Sequence, residues 1–297
     1  MSKRVLITGA FGQLGDALIM ELQPHFKLCA TGKEVPRDNL HICKYSELDI
    51  TKKKSVSHCI HSFSPDVVVH LACMTDVDGC EKNREEAWGV NVTGTENIIN
   101  SVRGSATKIV YISTDYIFDG EDGPYIEDDI PRPVNYYGKT KLAAENAVRG
   151  STQPWVILRT NVLYGNSLRS SASFVNWVVN SLKKSQKINV VDDQTNNPTW
   201  TASLAEAIKL SIIMNIQEIL NYAGSEFMSR FEFAKRIANV FDLDSNLINP
   251  IKTADLNQLA PRPLRSGLST VKIEELVGVR TYGVDYCLQK VREGIIA

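Results

Sequence analysis

The first 160 residues alternate short runs of apolar and β-branched residues with longer stretches in which apolar positions recur at helical spacing. RVLIT (4–8), FKLCAT (26–31), DVVVHLA (66–72), KIVYIST (108–114) and WVILRT (155–160) read as strands. Helical patterns cover 12–22, 52–62, 83–102 and the stretch opened by VNYYGKTKLAAEN (134–146), and a further short strand precedes ELDIT. Strands that are apolar on both faces and separated by helices form a parallel sheet covered on both sides. The fold class is therefore α/β, a doubly wound parallel sheet.

Beyond about Gly165 the rhythm changes. A helix is predicted near 172–183, a strand at KINVV (187–191), and a turn-rich DDQTNNPT leads to a helix from Ser203. The strand-like EILNYAG (218–224), the helix SRFEFAKRIANVF (229–241), a Pro-rich QLAPRPLRS (258–266) and a helix over 283–294 follow. No repeat or low-complexity linker intervenes. Two regions, 1–165 and 166–297, are expected to pack directly, with some elements of the second returning to the first sheet and a substrate in the cleft between them.

At 297 residues and 43% hydrophobic the chain can bury a sizeable core. Its 33 basic and 34 acidic residues leave no electrostatic footprint for nucleic acid or an anionic membrane. No run approaches the roughly 20 apolar residues of a membrane span, and MSKRVLITGAFGQLG lacks the features of a leader, so a cytoplasmic protein is expected. Six cysteines without a C-x-x-C are expected as reduced thiols. The five histidines are too scattered for a metal site, and no metal is expected.

TGAFGQLG places Gly9, Gly12 and Gly15 directly after the first strand and at the opening of a helix. In that context glycines permit a tight turn and close approach of a dinucleotide pyrophosphate to helix N-terminal N–H groups. The first region is thus read as a Rossmann-type dinucleotide-binding domain. At the end of the second strand, Thr31-Gly32-Lys33 and then Arg37 stand where an acid would bond the adenosine ribose. Two cations there favour NADP(H) over NAD(H). The alternative, ordinary surface charges, stays open. Asp49 in ELDIT is read either as an adenine-side residue or as a helix N-terminal residue.

Thr114, with Asp115 after it, ends the strand IVYIST at the carboxyl edge of the sheet, the edge at which open α/β folds bind ligands. Tyr137 and Lys141 are four apart and share a helix face, unlike Tyr136 and Lys139, which read as packing and solvated neighbours. A phenol with an ordinary pKa near 10 is brought towards neutral by a nearby ammonium, which suits general acid/base chemistry.

These motifs carry a resemblance. TGAFGQLG, STDYIFDG, YYGKTKLAAE and RTNVLYG resemble the extended short-chain dehydrogenase/reductases. LACMTDVDGCEKN, VVDDQTNNPTWTASLAEAI and PRPLRSGLST resemble, within them, the dTDP-4-dehydrorhamnose reductase family. The resemblance implies NADPH-dependent reduction at C4 of a nucleotide-linked 4-keto-6-deoxysugar, with Tyr137 as proton donor, Lys141 on the nicotinamide ribose and Thr114 on the reacting carbonyl. It implies cofactor contacts from Gly9, Phe11, Gly12, Gln13, Leu14, Gly15, Lys33, Arg37, Asp49, Ile50, Leu71, Ala72 and Cys73. Thr75, Asp78, Asp115, Asn161, Pro198, Thr199 and Arg262 are implied to line or shape the substrate side. A homodimer is the protein partnership entertained.

Two alternatives remain. A regulatory subunit of methionine adenosyltransferase belongs to the same subfamily, binds NADP and has an R-x-x-x-L-Y-G segment like RTNVLYG. An epimerase or dehydratase uses the same triad, but dehydratases place Asp-Glu after the triad threonine, where this chain has Asp115-Tyr116. The acidic stretch 121–133 is read as a solvated loop from which Tyr125 or Glu127 could reach substrate. Cys73 and Cys80 are read as packing residues, and Trp88, Trp155 and Trp177 as core or interface.

Overall fold

The structure, a computed structural model, describes residues 2–34, 43–166 and 173–296. In its first region β1 (Arg4–Thr8), α1 (Gly15–Leu22), β2 (Lys27–Gly32), β3 (Lys44–Glu47), α2 (Lys53–Phe63) and β4 (Val67–His70) follow in order. Then come α3 (Val77–Lys82), α4 (Arg84–Trp88), a π-helical turn over Gly89–Thr93, α5 (Gly94–Val102), β5 (Lys108–Thr114), α6 (Tyr136–Arg149) and β6 (Trp155–Thr160). The second region contributes β7 (Leu163–Tyr164, just before it), α7 (Phe174–Lys183), β8 (Ile188–Val191), β9 (Thr195–Asn196), β10 (Thr199–Trp200), α8 (Thr201–Ile213) and β11 (Ile219–Asn221). It ends with β12 (Met228–Ser229), α9 (Arg230–Val240), β13 (Ile248–Ile251), α10 (Val271–Val277) and α11 (Val284–Ile296).

Seven parallel strands form one sheet in the order β11-β6-β5-β4-β1-β2-β3. The apolar strands are sandwiched as their composition requires. One face packs under α1, α8 and α10 through Leu18, Leu22, Leu204, Ile208 and Ile273. The other packs under α2, α5 and α6 through Val56, Ile60, Ile98, Ala144 and Val148. Strand order reverses between β1 and β4, which opens a crevice at their carboxyl ends, the position such folds use for a ligand. A smaller lobe gathers α7, α9, α11, β8 and β13 around Val178, Phe233 and Leu288.

Several expectations change here. The helical pattern over 83–102 is interrupted by the π turn, and α3 and α10 carried no clear periodic signal. Much of the stretch 121–133 is tied down: Tyr125 is buried and stacked on Phe118 at 4.2 Å between ring centres, and Glu127 accepts the Asn221 N–H at 2.8 Å. Tyr125 and Glu127 are thereby anchors. Trp88 and Trp177 are each 43% exposed, so neither is core. All six cysteines are free thiols. Among the described residues no helix is long and apolar enough to cross a membrane.

Candidate active site

The crevice between β1 and β4 is built by glycine sterics. Gly9 adopts φ +65°, and a Cβ there would stand 2.6 Å from the Ala72 backbone, so the loops after β1 and β4 touch at Gly9 and Leu71-Ala72. A Cβ at Gly15 would lie 1.9 Å from the Ala10 carbonyl oxygen, which fixes α1 against its own loop. Gly12 differs: its Cβ position meets only the Gly9 oxygen, at 3.4 Å, and otherwise faces open space. Leu14 at the N-cap of α1 supplies no side-chain oxygen to the first helical N–H groups. A loop closed behind and open in front is what an approaching pyrophosphate needs.

Around it, Gln13 donates to the Leu163 carbonyl at 2.8 Å, tying the loop to β7. Phe11 stacks on Tyr45 at 5.8 Å. Lys33 is exposed after β2, where its charge helps to hold the Asp49 carboxyl below its usual range. Burial is the largest effect and works against that lowering, and the Thr51 hydroxyl and N–H, donating to Asp49 at 2.7 and 2.9 Å, outweigh it together with the charges of Lys33 and Lys52. Asp49 therefore closes a turn and does not cap α2, whose N-cap is Lys52. Ile50 is buried against Gly94, and its carbonyl accepts from Asn97. Arg37 lies outside the described residues.

Behind the crevice runs a buried polar chain. Thr95 donates its hydroxyl to the Asn91 carbonyl at 2.7 Å, so the hydroxyl accepts from His70 Nε2 at 3.0 Å. His70 Nδ1 is then the acceptor for the Thr8 hydroxyl at 2.6 Å. Burial, followed by the charge of Lys141, pushes the imidazole down to about 3, and it stays neutral. Asn91, on the π turn, accepts from Met74 N–H at 2.7 Å and donates to Thr140 at 2.9 Å, joining the loop after β4 to α6. Neither role was read from sequence; the available signal was a polar residue between Gly89 and Gly94 inside an apolar helical pattern.

The residues expected to react come together at the end of β5. Asn135 caps α6 by accepting the Gly138 N–H at 2.8 Å, which puts Tyr137 and Lys141 on the face turned to that strand. Lys141, 4% exposed, donates to the Ile112 carbonyl at 2.7 Å and lies 4.2 Å from the centre of the Tyr111 ring. Tyr137 lies beside Thr114 and close to Cys73, whose thiol also contacts Lys141. The expected lowering of the phenol is not found. Burial dominates and raises Tyr137 well above its ordinary value, the nearby Cys73 adds to this, and the neighbouring Thr114 hydroxyl only partly offsets it. Thr114 donates to Asp115 Oδ1 at 3.0 Å, and Ser266 donates to Asp115 Oδ2 from the Pro-rich segment.

Beside this cluster a cavity of about 540 Å³ is lined by Tyr116, Phe174, Trp177, Gln194, Arg230 and Arg262, among others. Tyr116, one wall of this cavity, meets Tyr137 edge-on at 5.8 Å. Arg230 lies beside Tyr116 and stands over the Phe174 ring at 5.4 Å. Arg262 pairs with Asp78 at 3.0 Å, bringing two expected residues together, while Thr75 is exposed on the loop after β4. Asn161, Pro198 and Thr199 are buried, and Asn161 spends its side chain on Asn197 at 2.9 Å and Thr199 at 3.3 Å. None of the three is among the residues lining that cavity. Arg230 and Trp177 were missed as site residues because nothing local distinguishes them from a surface cation and a core indole. A cavity of similar size beside α2, lined by Cys29, His58 and Cys59, holds none of these groups.

A parallel α/β sheet with a glycine-lined crevice at its switch point and a Thr/Tyr/Lys cluster beside it defines a short-chain dehydrogenase/reductase architecture. Residues 3–293 match the family described as "RmlD substrate binding domain". The chain is 34% identical over 290 residues to methionine adenosyltransferase 2 subunit beta of Rattus norvegicus, covering 94% of this chain and 84% of that one. It is 34% identical over 280 residues to the spore coat polysaccharide biosynthesis protein SpsK of Bacillus subtilis, covering 93% and 92%. It superposes on a dTDP-4-dehydrorhamnose reductase of Bacillus anthracis, solved in complex with NADP, with a TM-score of 0.89, 31% identity and 99% of each chain covered. The chain belongs to the dTDP-4-dehydrorhamnose reductase family of the extended short-chain dehydrogenase/reductases.

Proposed function

We propose that this protein reduces the C4 keto group of a nucleotide-linked 4-keto-6-deoxysugar with NADPH. The observation that carries the reading is the convergence of Thr114, Tyr137 and Lys141 at one strand end, between the glycine-lined crevice and a cavity bearing Arg230 and Arg262. The open space at Gly12 fits a pyrophosphate, and the Thr31-Gly32-Lys33 turn, with no acid before Glu34, favours the 2′-phosphate of NADP(H). A reduced nicotinamide bound in the crevice supplies the hydride.

The chain's own residues supply the rest. Tyr137, kept protonated by burial, donates the proton to the C4 oxygen. Thr114 donates a hydrogen bond to the same oxygen, and Lys141 supplies a fixed positive charge beside them. Arg230 and Arg262 are suited to a diphosphate, and Phe174 and Trp177 to a base. The test is oxidation of NADPH on adding a 4-keto-6-deoxy nucleotide sugar, with the 4-hydroxy sugar identified by NMR. NADH preferred over NADPH would remove the cofactor assignment, and absence of the hydroxy product would remove the reaction.

The 34% identity to methionine adenosyltransferase 2 subunit beta favours a second reading, a nicotinamide-cofactor-binding regulatory subunit. Co-purification with a larger enzyme, together with no reductase turnover, would favour it over the first.

A further inference from the structure

We propose that Asp115 is a positioning residue for this reduction: its protonation state decides whether the Thr114 hydroxyl proton is held by the carboxylate or turned towards the substrate carbonyl. The inference rests on the reductase reading above. A threonine hydroxyl has one proton and two lone pairs. At Thr114 the proton is donated to Asp115 Oδ1 at 3.0 Å, and one lone pair takes the Tyr116 N–H at 3.2 Å. Because that single proton is already committed, Thr114 has none left to offer a carbonyl. With Asp115 ionised, the Thr114 proton that the carbonyl needs points into the protein.

A neutral Asp115 reverses the chain. Its own O–H donates to Thr114 Oγ1, the Tyr116 N–H keeps the other lone pair, and the Thr114 proton is free to meet the C4 oxygen beside that of Tyr137. Ser266, reaching in from the Pro-rich segment, donates to Oδ2 and holds the carboxyl in plane. Asp115 is 2% exposed, so no bulk water takes over these bonds. The groups facing it are Thr114 on β5, Tyr116 in the following turn, Tyr137 on α6, Ser266, and Arg230 at the start of α9; Arg262 acts on Arg230 and Tyr116. Burial outweighs the Ser266 and Thr114 bonds and the Arg230 charge, and pushes the carboxyl up to about 6, so both states are within reach near neutral pH.

The test is the hydride-transfer rate in single turnovers against pH, with NADPH and a 4-keto-6-deoxy nucleotide sugar. For the wild type the rate is expected to fall by up to about tenfold per pH unit above an inflection near the Asp115 value. Asp115→Asn, whose amide donates to Thr114 permanently, is expected to turn over with that inflection gone. Thr114→Val, slower throughout, is expected to lose it too. Infrared difference spectra between the wild type and Asp115→Asn should show a protonated carboxyl band that titrates with the same inflection, a readout independent of turnover. Wild-type turnover with no inflection, an inflection that persists in Asp115→Asn, or a carboxyl band that does not titrate overturns the inference and leaves the reductase reading intact. Absence of wild-type turnover overturns both.

Discussion

Arg159 forks onto both carboxylate oxygens of Glu145, Nε to Oε1 at 3.1 Å and Nη2 to Oε2 at 3.0 Å, with the two side chains 2% and 0% exposed. Arg159 stands near the carboxyl end of β6, and Glu145 lies one turn beyond Lys141 on α6, so this pair fixes the helix that carries Tyr137 against the sheet. Arg159 also donates to the Glu127 carbonyl at 3.0 Å, which anchors the segment after β5 to the same point. Removing one partner strands the other as a buried charge. Arg159→Met or Glu145→Gln alone should cost about 3–5 kcal/mol in urea unfolding, and the double variant should recover much of it. Additive losses in the double variant would show that the two do not act as a pair.

Gly9 and Gly12 of the glycine-rich loop should separate by phenotype. Gly9→Ala forces a side chain into the Ala72 backbone at a positive φ, so it should lower thermal stability and cofactor affinity together. Gly12→Ala has room within the protein, so it should melt close to the wild type while binding NADPH at least tenfold more weakly in a fluorescence titration. Equal affinity in Gly12→Ala and wild type would contradict the pyrophosphate assignment.

Arg230 should act on the sugar nucleotide and leave the cofactor untouched. It is half-buried beside Tyr116, Phe174 and Arg262, and its partial loss of solvent works against its charge, which Tyr116 and Asp115 support. Arg230→Met is expected to raise KM for the nucleotide sugar by roughly 10–100-fold, the worth of one charge-assisted contact, with the NADPH Kd unchanged. An unchanged KM would remove Arg230 from the substrate side.

Stability should respond to acid through His70. The folded imidazole is held at about 3, against about 6.5 when exposed, so the unfolded chain binds more protons between those values. The His70 contribution is complete above pH 6.5 and falls as the pH drops towards 3. Asp115 acts with the opposite sign: its folded value of about 6 exceeds the ordinary carboxyl value near 3.9, so its contribution is lost as the pH rises through 6. Urea midpoints between pH 7 and 5 should therefore fall more steeply in the wild type than in His70→Gln. Parallel slopes would contradict a buried neutral imidazole.

Much of this was legible because the strands carry their burial in their composition: RVLIT, VVVH and KIVYIST could only be central strands, and all three lie inside the sheet. Tyr137 and Lys141 were legible because helix spacing alone pairs them. What escaped depended on contacts far apart in sequence. Ser266 reaches Asp115 across 151 positions, and Asn91 reaches Thr140 across 49, and neither has a local pattern. The direction of the Tyr137 shift escaped for a physical reason as well. An i,i+4 spacing shows that Lys141 is near but not how deeply the phenol is buried, and burial is the larger effect.

The central claim, that Tyr137 donates the proton in a reduction at this edge, is tested most directly by single-turnover hydride transfer in Tyr137→Phe with saturating NADPH and a 4-keto-6-deoxy nucleotide sugar. The expected result is a rate lower by about 10²–10⁴-fold with NADPH binding retained. A rate within a factor of two of the wild type would contradict it.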